Sequence, residues 1–151
     1  MGKLGEPDSA LSVVTIVELT RGIYRAKSDT DCERRRAFSE ELRRNMVLPV
    51  TVEIAELAGR IEGEQASRGI SIAFEDLLIG TTALHIGYAV VTINVRHFQA
   101  IPGTYCLATL DPTEGSVLQN LTQVNDSARK IRVMLTAASH APRPCDQLLP
   151  R

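Results

Sequence analysis

The sequence predicts an α/β domain built on a parallel sheet with helices on both faces. Its clearest strand is the apolar run from Ala89 to Val91, which Thr92 and Asn94 follow. Segments with helical periodicity separate this run from an earlier apolar run that begins at Leu11. Alternation of strands and helices is the pattern of a parallel sheet, and ligands bind such sheets beyond the carboxyl ends of the strands.

Length and composition suit one soluble globular domain. The chain has 151 residues, of which 44% are hydrophobic and 23% charged, and its formal net charge is -1. These values exclude a basic nucleic-acid coat protein. A nuclease needs only a local basic patch, so the net charge neither supports nor excludes RNA as a ligand.

Cysteine spacing and hydropathy predict a cytoplasmic protein with no membrane contact. Cys32, Cys106 and Cys145 are far apart and odd in number, as expected of thiols in a reducing cytosol. The first ten residues lack the apolar segment of a signal peptide. No apolar run approaches the length of about 20 residues that a membrane helix needs.

The first elements are a strand and a short helix. Leu11 to Ile16 is rich in β-branched residues and is predicted as a strand. Val17 to about Ala26 is predicted as the helix that follows it. Glu18 is then expected in the first turn of this helix.

An amphipathic helix and an edge strand are predicted next. Thr30 with Glu33 three positions later is a capping-box pattern, which predicts a helix from Asp31 to Asn45. Met46 to Val50 is predicted as a short strand, and Pro49 favours an edge position for it. The outer face of the helix is basic and is either a solvated surface or an RNA contact; it carries Arg34, Arg35, Arg36, Arg43 and Arg44.

Two further helices precede the clearest strand. Apolar periodicity predicts a helix from about Val52 to Arg68 that Gly69 ends. Ile70 to Phe74 is predicted as a strand that leads into a second helix, from Glu75 to about Ile86. This last helix is so apolar that we expect it to be buried.

Three segments resemble the PIN-domain nucleases, and specifically the VapC-like toxins of toxin–antitoxin pairs. They are Ser12 to Gly22, Glu75 to Gly87, and Val91 to Phe98 with Ile101 to Gly103. Each motif alone is weak, whereas three in the same order and approximate spacing are fairly specific. The resemblance implies a PIN-like fold, an endoribonuclease that uses Mg²⁺ or Mn²⁺ on structured cellular RNA, homodimers and a cognate antitoxin.

The two ends of the chain depart from the family pattern. Residues 1–111 are expected to form the PIN-like domain, and residues 112–151 a C-terminal extension that is partly helical or disordered. Asp126 is expected to cap a short helix there that carries Met134 and Leu135. Family members open with an apolar strand that ends in Asp and forms the middle of the sheet, and no such strand precedes the first matching segment. Three explanations are open: an upstream start, a partner that covers the gap, or coverage by the C-terminal extension.

Glu18, Asp76 and Asn94 are the predicted catalytic residues and metal ligands. Hard divalent cations take oxygen ligands that converge from different elements. Considered alone, the two acids are most simply explained as carboxylates that a helix dipole favours. The resemblance reverses that preference, and it implies that Asn94 orients a metal-bound water.

Supporting roles are assigned to two hydroxyls and three arginines. Thr15 and Thr92 are candidate hydroxyl supports, although a Thr in a strand is usually explained by β-propensity alone. Three arginines flank the site in sequence and are either phosphate contacts or simply exposed; they are Arg21, Arg25 and Arg96.

Two neighbouring polar residues receive weaker assignments. Glu75 is either a supporting acid or exposed. His97 is predicted to be a surface histidine, because His85 and His140 share no ligand spacing with it, and zinc is not expected.

Two functions compete. The first is a Mg²⁺-dependent endoribonuclease toxin, and the second is a shortened PIN protein that binds an antitoxin without cleaving RNA. A third hypothesis, a nucleotide-binding module, lacks a phosphate-binding loop and ranks last. Because the first-strand Asp is missing, we expect weak Mg²⁺ binding and little or no RNA cleavage by this chain.

Overall fold

A computed structural model of the chain describes residues 9–92, 94–108 and 133–135. In these residues parallel strands form one sheet in the order β2-β1-β5-β3-β4. The strands are β1 (Ser9–Ser12), β2 (Met46–Leu48), β3 (Ala89–Thr92), β4 (Cys106–Ala108) and β5 (Val133–Leu135). The helices are α1 (Val13–Tyr24), α2 (Asp29–Leu42), α3 (Val52–Ala66), α4 (Phe74–Ile86) and α5 (Val95–Gln99).

Helices cover both faces of the sheet, as the sequence predicts. Ala10 of β1 and Val90 of β3 belong to a buried cluster with side chains of α3, α4 and α5. The next residue of each strand, Leu11 and Val91, belongs to a second cluster with side chains of α1 and α2. Successive side chains of a strand point to opposite faces, so the two clusters lie on opposite sides of the sheet.

The middle of the sheet is occupied by the C-terminal strand β5. It pairs in parallel with β1 on one side and with β3 on the other. Met134 at its centre is fully buried. Among the three explanations for the missing family strand, the structure therefore agrees with coverage by the C-terminal segment.

The helix predicted through Met134 and Leu135 is wrong, because both residues lie in β5. Between β1 and β3 there is room for one more strand, which an apolar segment occupies. This pairing with distant strands overrides the helical spacing of the apolar residues in that segment. Asp126 and the rest of the predicted helix lie outside the described residues.

Two helix starts differ from prediction. Val13 to Ile16 is the first turn of α1 rather than strand, because the hydroxyl of Ser12 accepts a hydrogen bond from the backbone N–H of Val14 and caps the helix. Glu18 accordingly lies in the second turn. The second helix is capped by Ser28 rather than Thr30, through a bond from the backbone N–H of Asp31.

Other elements agree with the sequence, with one exception. Strand β2 lies at an edge of the sheet, and α4 is largely buried and ends at Gly87 in a left-handed conformation. The exception is the segment of residues 70–73, which holds no strand. No helix of the described residues is long and apolar enough to cross a membrane.

Candidate active site

The candidate site lies where the carboxyl ends of the central strands meet the helices that follow them. Glu18 comes from α1, directly after β1, and Asn94 caps α5 after β3. Asp76 and Glu75 come from the first turn of α4. Because β1 and β3 are both parallel to β5, they deliver α1 and α5 to one edge of the sheet. The first turn of α4 lies close to Glu18, since the carboxylates of Asp76 and Glu75 raise the pKa of Glu18.

Glu18 is the residue of this group whose pKa is raised. Burial, and then the neighbouring carboxylates of Asp76 and Glu75, raise its pKa from 4.5 to about 6, against the opposing effect of Arg21. Its Oε2 atom is buried and has no hydrogen-bond partner in the described part of the chain. A buried carboxylate oxygen without a partner is costly, and a bound cation would satisfy it.

An ion pair connects α1 to α4 beside this carboxylate. Nη2 of Arg21 lies 3.1 Å from Oε1 of Glu75, and both side chains are substantially exposed. A hydrogen bond to its own backbone, and then the bond from Arg21, lower the pKa of Glu75. Arg21 is therefore paired with Glu75. The carboxylates of Glu18 and Asp76 remain as the negative charges of the site. An exposed pair of this kind contributes little to stability.

His97 contacts the second carboxylate of the site, which the sequence analysis did not predict. Its Nδ1 atom lies 2.8 Å from Oδ2 of Asp76. The imidazole is largely exposed, as predicted, but it is not an isolated surface group. A usable signal exists in the sequence: His97 is the third residue of a helix that starts just after a buried strand, so it faces the same sheet edge as Asn94.

The two threonines are buried at this edge. Thr15 and Thr92 have no exposed surface. The hydroxyl of Thr92 accepts a hydrogen bond of 3.0 Å from the backbone N–H of Asn94, which fixes the turn between β3 and α5. The Asn94 side chain makes no capping bond and is exposed.

Arginines near the site differ in their surroundings. Arg21 is paired with Glu75. Arg25, the residue that follows α1, and Arg96 of α5 have exposed side chains. Their assignment as phosphate contacts stays a prediction.

The donor set is small. Across residues 9–92, 94–108 and 133–135, no group of three or more His, Cys, Asp or Glu side chains is arranged to hold a metal ion. The arrangement is instead a pair of carboxylates, with an amide at the same edge of the sheet. A pair of this kind suits a hard cation that keeps several water ligands.

Known proteins resemble this chain over the segment that carries the site. The PIN domain family model matches residues 3–103. Ribonuclease VapC1 of Rickettsia felis is 30% identical over 94 residues, which are 62% of this chain and 70% of the relative. The tRNA(fMet)-specific endonuclease VapC of Salmonella typhimurium is 35% identical over 94 residues, 62% of this chain and 69% of the relative.

Solved structures agree. DNA-bound VapBC of Salmonella typhimurium superposes with a TM-score of 0.58 at 31% identity, covering 66% of this chain and 74% of that one. VapBC-5 of Mycobacterium tuberculosis, at 21% identity, supports the fold alone, with a TM-score of 0.59 over 70% of this chain and 100% of that one. Since the family model covers more than half of the sequence, this chain belongs to the PIN domain family.

Proposed function

We propose that this chain is an endoribonuclease toxin of the VapC type, which hydrolyses phosphodiester bonds in cellular RNA with Mg²⁺ or Mn²⁺. The observation that carries the proposal is the pair of carboxylates Glu18 and Asp76 at the sheet edge, with a buried oxygen of Glu18 that lacks a partner among the described residues. The relatives are named as ribonucleases, and one as a tRNA(fMet)-specific endonuclease, which supports RNA as the substrate class.

A divalent cation fits this donor set. Two carboxylates close enough to raise the pKa of one of them need a positive charge, and the nearest arginine is committed to Glu75. Glu18, Asp76 and Asn94 would hold the cation. When bound, such a cation activates water for attack on the scissile phosphate and neutralises charge on the leaving oxygen.

Other residues of the chain hold this arrangement and the substrate. The buried Thr92 hydroxyl fixes the backbone that carries the Asn94 amide. Thr15 is buried one helical turn before Glu18 and would support that turn of α1. Arg25 and Arg96 are exposed and would contact RNA phosphates.

The proposal is tested with Asp76→Asn, which removes one charge and keeps the shape of the side chain. We expect the unaltered protein to bind Mn²⁺, measured by the loss of the free-ion electron paramagnetic resonance signal. The variant should bind at least about tenfold more weakly, since even the loss of a supporting contact at a metal site costs that much. Any residual cleavage of a transfer RNA by the unaltered protein should be lost in the variant.

Asp29→Asn is the matched control. Asp29 also lies in the first turn of a helix, so its substitution disturbs the helix dipole in the same way without touching the site. RNA cleavage or Mn²⁺ binding that survives Asp76→Asn would show that the site is assigned wrongly.

The partner of this chain is proposed to be a small antitoxin, and its quaternary state a homodimer. The solved relative at 31% identity is a VapBC complex, and the VapC-like toxins that this chain resembles pair with antitoxins. An acidic pocket whose nearest arginine is already paired would accept a basic side chain from such a partner.

We expect the antitoxin encoded beside this chain to copurify with it from a joint expression. Replacing both acids, Glu18→Gln with Asp76→Asn, should weaken the complex at low salt, whereas Asp29→Asn should leave it intact. A neighbouring product that fails to bind in a pull-down would argue against this partner.

A second candidate function is antitoxin binding without RNA cleavage. It is favoured by the absence, among the described residues, of any three-donor cluster that could hold a metal ion. A protein that binds the antitoxin and leaves RNA intact at millimolar Mn²⁺ would support this alternative.

A further inference from the structure

His97 meets Asp76 because α5 packs closely on α4. The contact joins residues that are 21 positions apart in the chain, with Nδ1 of His97 2.8 Å from Oδ2 of Asp76. One turn further along α4, Gly80 has no side chain, and a Cβ atom there would lie 3.3 Å from Cδ1 of Phe98 and still closer to Ile101. Residues i and i+4 share a face of a helix, so the approach at Gly80 brings α5 onto the face that carries Asp76.

Packing anchors the helix α5 that carries the exposed imidazole. The next residue, Phe98, is 1% exposed and belongs to the core cluster that includes α4. The Asp76 side chain is only 17% exposed, against 56% for His97. The imidazole therefore covers the solvent side of a largely buried carboxylate.

We infer that His97 is a positioning residue that orients the Asp76 carboxylate for a divalent cation, an inference that rests on the proposed function. The hydrogen bond engages Oδ2, so Oδ1 would be the oxygen left to ligate a cation. His97 itself contacts neither the cation nor RNA in this role. Partners of this kind hold ligating carboxylates in one rotamer, and their loss commonly costs one to two powers of ten in metal affinity, about 10- to 100-fold.

The test measures Mn²⁺ dissociation constants by calorimetry for the unaltered protein, His97→Ala and His97→Asn. His97→Ala should bind Mn²⁺ at least about tenfold more weakly. His97→Asn should recover most of the affinity, because its amide N–H₂ reaches the position of Nδ1 and donates the same hydrogen bond. Melting temperatures of both variants should stay close to that of the unaltered protein, since the side chain is exposed.

His85→Ala is the control, because His85 is an exposed histidine at the far end of α4. This variant reports any weak Mn²⁺ binding by surface imidazoles. We expect its Mn²⁺ dissociation constant to equal that of the unaltered protein. Unchanged affinity in His97→Ala would overturn the inference. So would a loss that His97→Asn fails to recover and that comes with a lower melting temperature, since that pattern describes a structural role.

The same titrations separate this inference from the proposed function. Absence of Mn²⁺ binding by the unaltered protein, or binding that Asp76→Asn leaves unchanged, would overturn both. Binding that depends on Asp76 but not on His97 would overturn only the positioning role.

Discussion

Met134→Asp is expected to unfold the protein. Met134 lies at the centre of the middle strand, fully buried, and its backbone is in register with Ala10 on one side and Val90 on the other. Both of these neighbours are themselves fully buried. A carboxylate at such a position is either desolvated or forces β5 out of the sheet, and either outcome costs several kcal/mol. The stability of a typical domain is about 5–15 kcal/mol, so a loss of about 4 kcal/mol or more removes most of the stability of a domain at the lower end of this range.

Urea unfolding followed by circular dichroism measures this effect. Met134→Leu is the matched control, because a swap of similar volume between apolar side chains costs less than about 1.5 kcal/mol. A Met134→Asp protein that melts within a few degrees of the unaltered one would show that β5 is dispensable. The family-like strand in the middle of the sheet would then have to come from a segment upstream of this chain or from a partner.

Glu18→Gln is expected to stabilise the protein near neutral pH while weakening its binding of Mn²⁺ by at least about tenfold. The folded state raises the pKa of Glu18 from 4.5 to about 6, chiefly by burial. The folded state therefore binds this proton more tightly than the unfolded chain does. The charged carboxylate destabilises the fold, with a cost that begins as the pH rises through 4.5 and is complete above about 6.

The gain from Glu18→Gln should therefore be seen at neutral pH and vanish at about pH 4, where the unaltered side chain is already neutral. One pKa unit corresponds to 1.36 kcal/mol, and partial exposure of the carboxylate reduces the expected gain to about 1 kcal/mol. Glu40→Gln, on the exposed surface of α2, is the control for the replacement of a carboxylate by an amide. A Glu18→Gln protein that is less stable than the unaltered one at neutral pH would contradict the assignment of a strained carboxylate.

Local sequence patterns determined much of the fold and of the candidate site. Composition, together with the Pro and Gly residues at element ends, predicts three elements of the fold. They are the apolar strand β3, the buried helix α4 and the edge strand β2. The polar residues that follow β1 and β3 could be placed at one sheet edge because the carboxyl ends of parallel strands meet there. The resemblance to PIN-domain nucleases then selected Glu18 and Asp76 as candidate ligands, and in the structure the Asp76 carboxylate contributes to the raised pKa of Glu18.

The start of α1 was decided by local contacts that the sequence pattern alone did not reveal. Val13 to Ile16 is as typical of a strand as of a helix, because β-branched residues fit both when buried. The cap at Ser12 and the packing of Leu19 beside Leu11 decide in favour of a helix.

Two features of the site region, in contrast, were decided by contacts between distant segments. The place of β5 depends on pairing across many residues with β1 and β3, and a three-residue apolar segment carries no periodicity that identifies a strand. The bond between His97 and Asp76 depends on the close approach of α5 to Gly80, which neither helix encodes by itself. The sequence by itself therefore determined the candidate residues of the site. Only the tertiary structure decided that β5 completes the sheet and that His97 contacts Asp76, because both depend on packing between segments far apart in the chain.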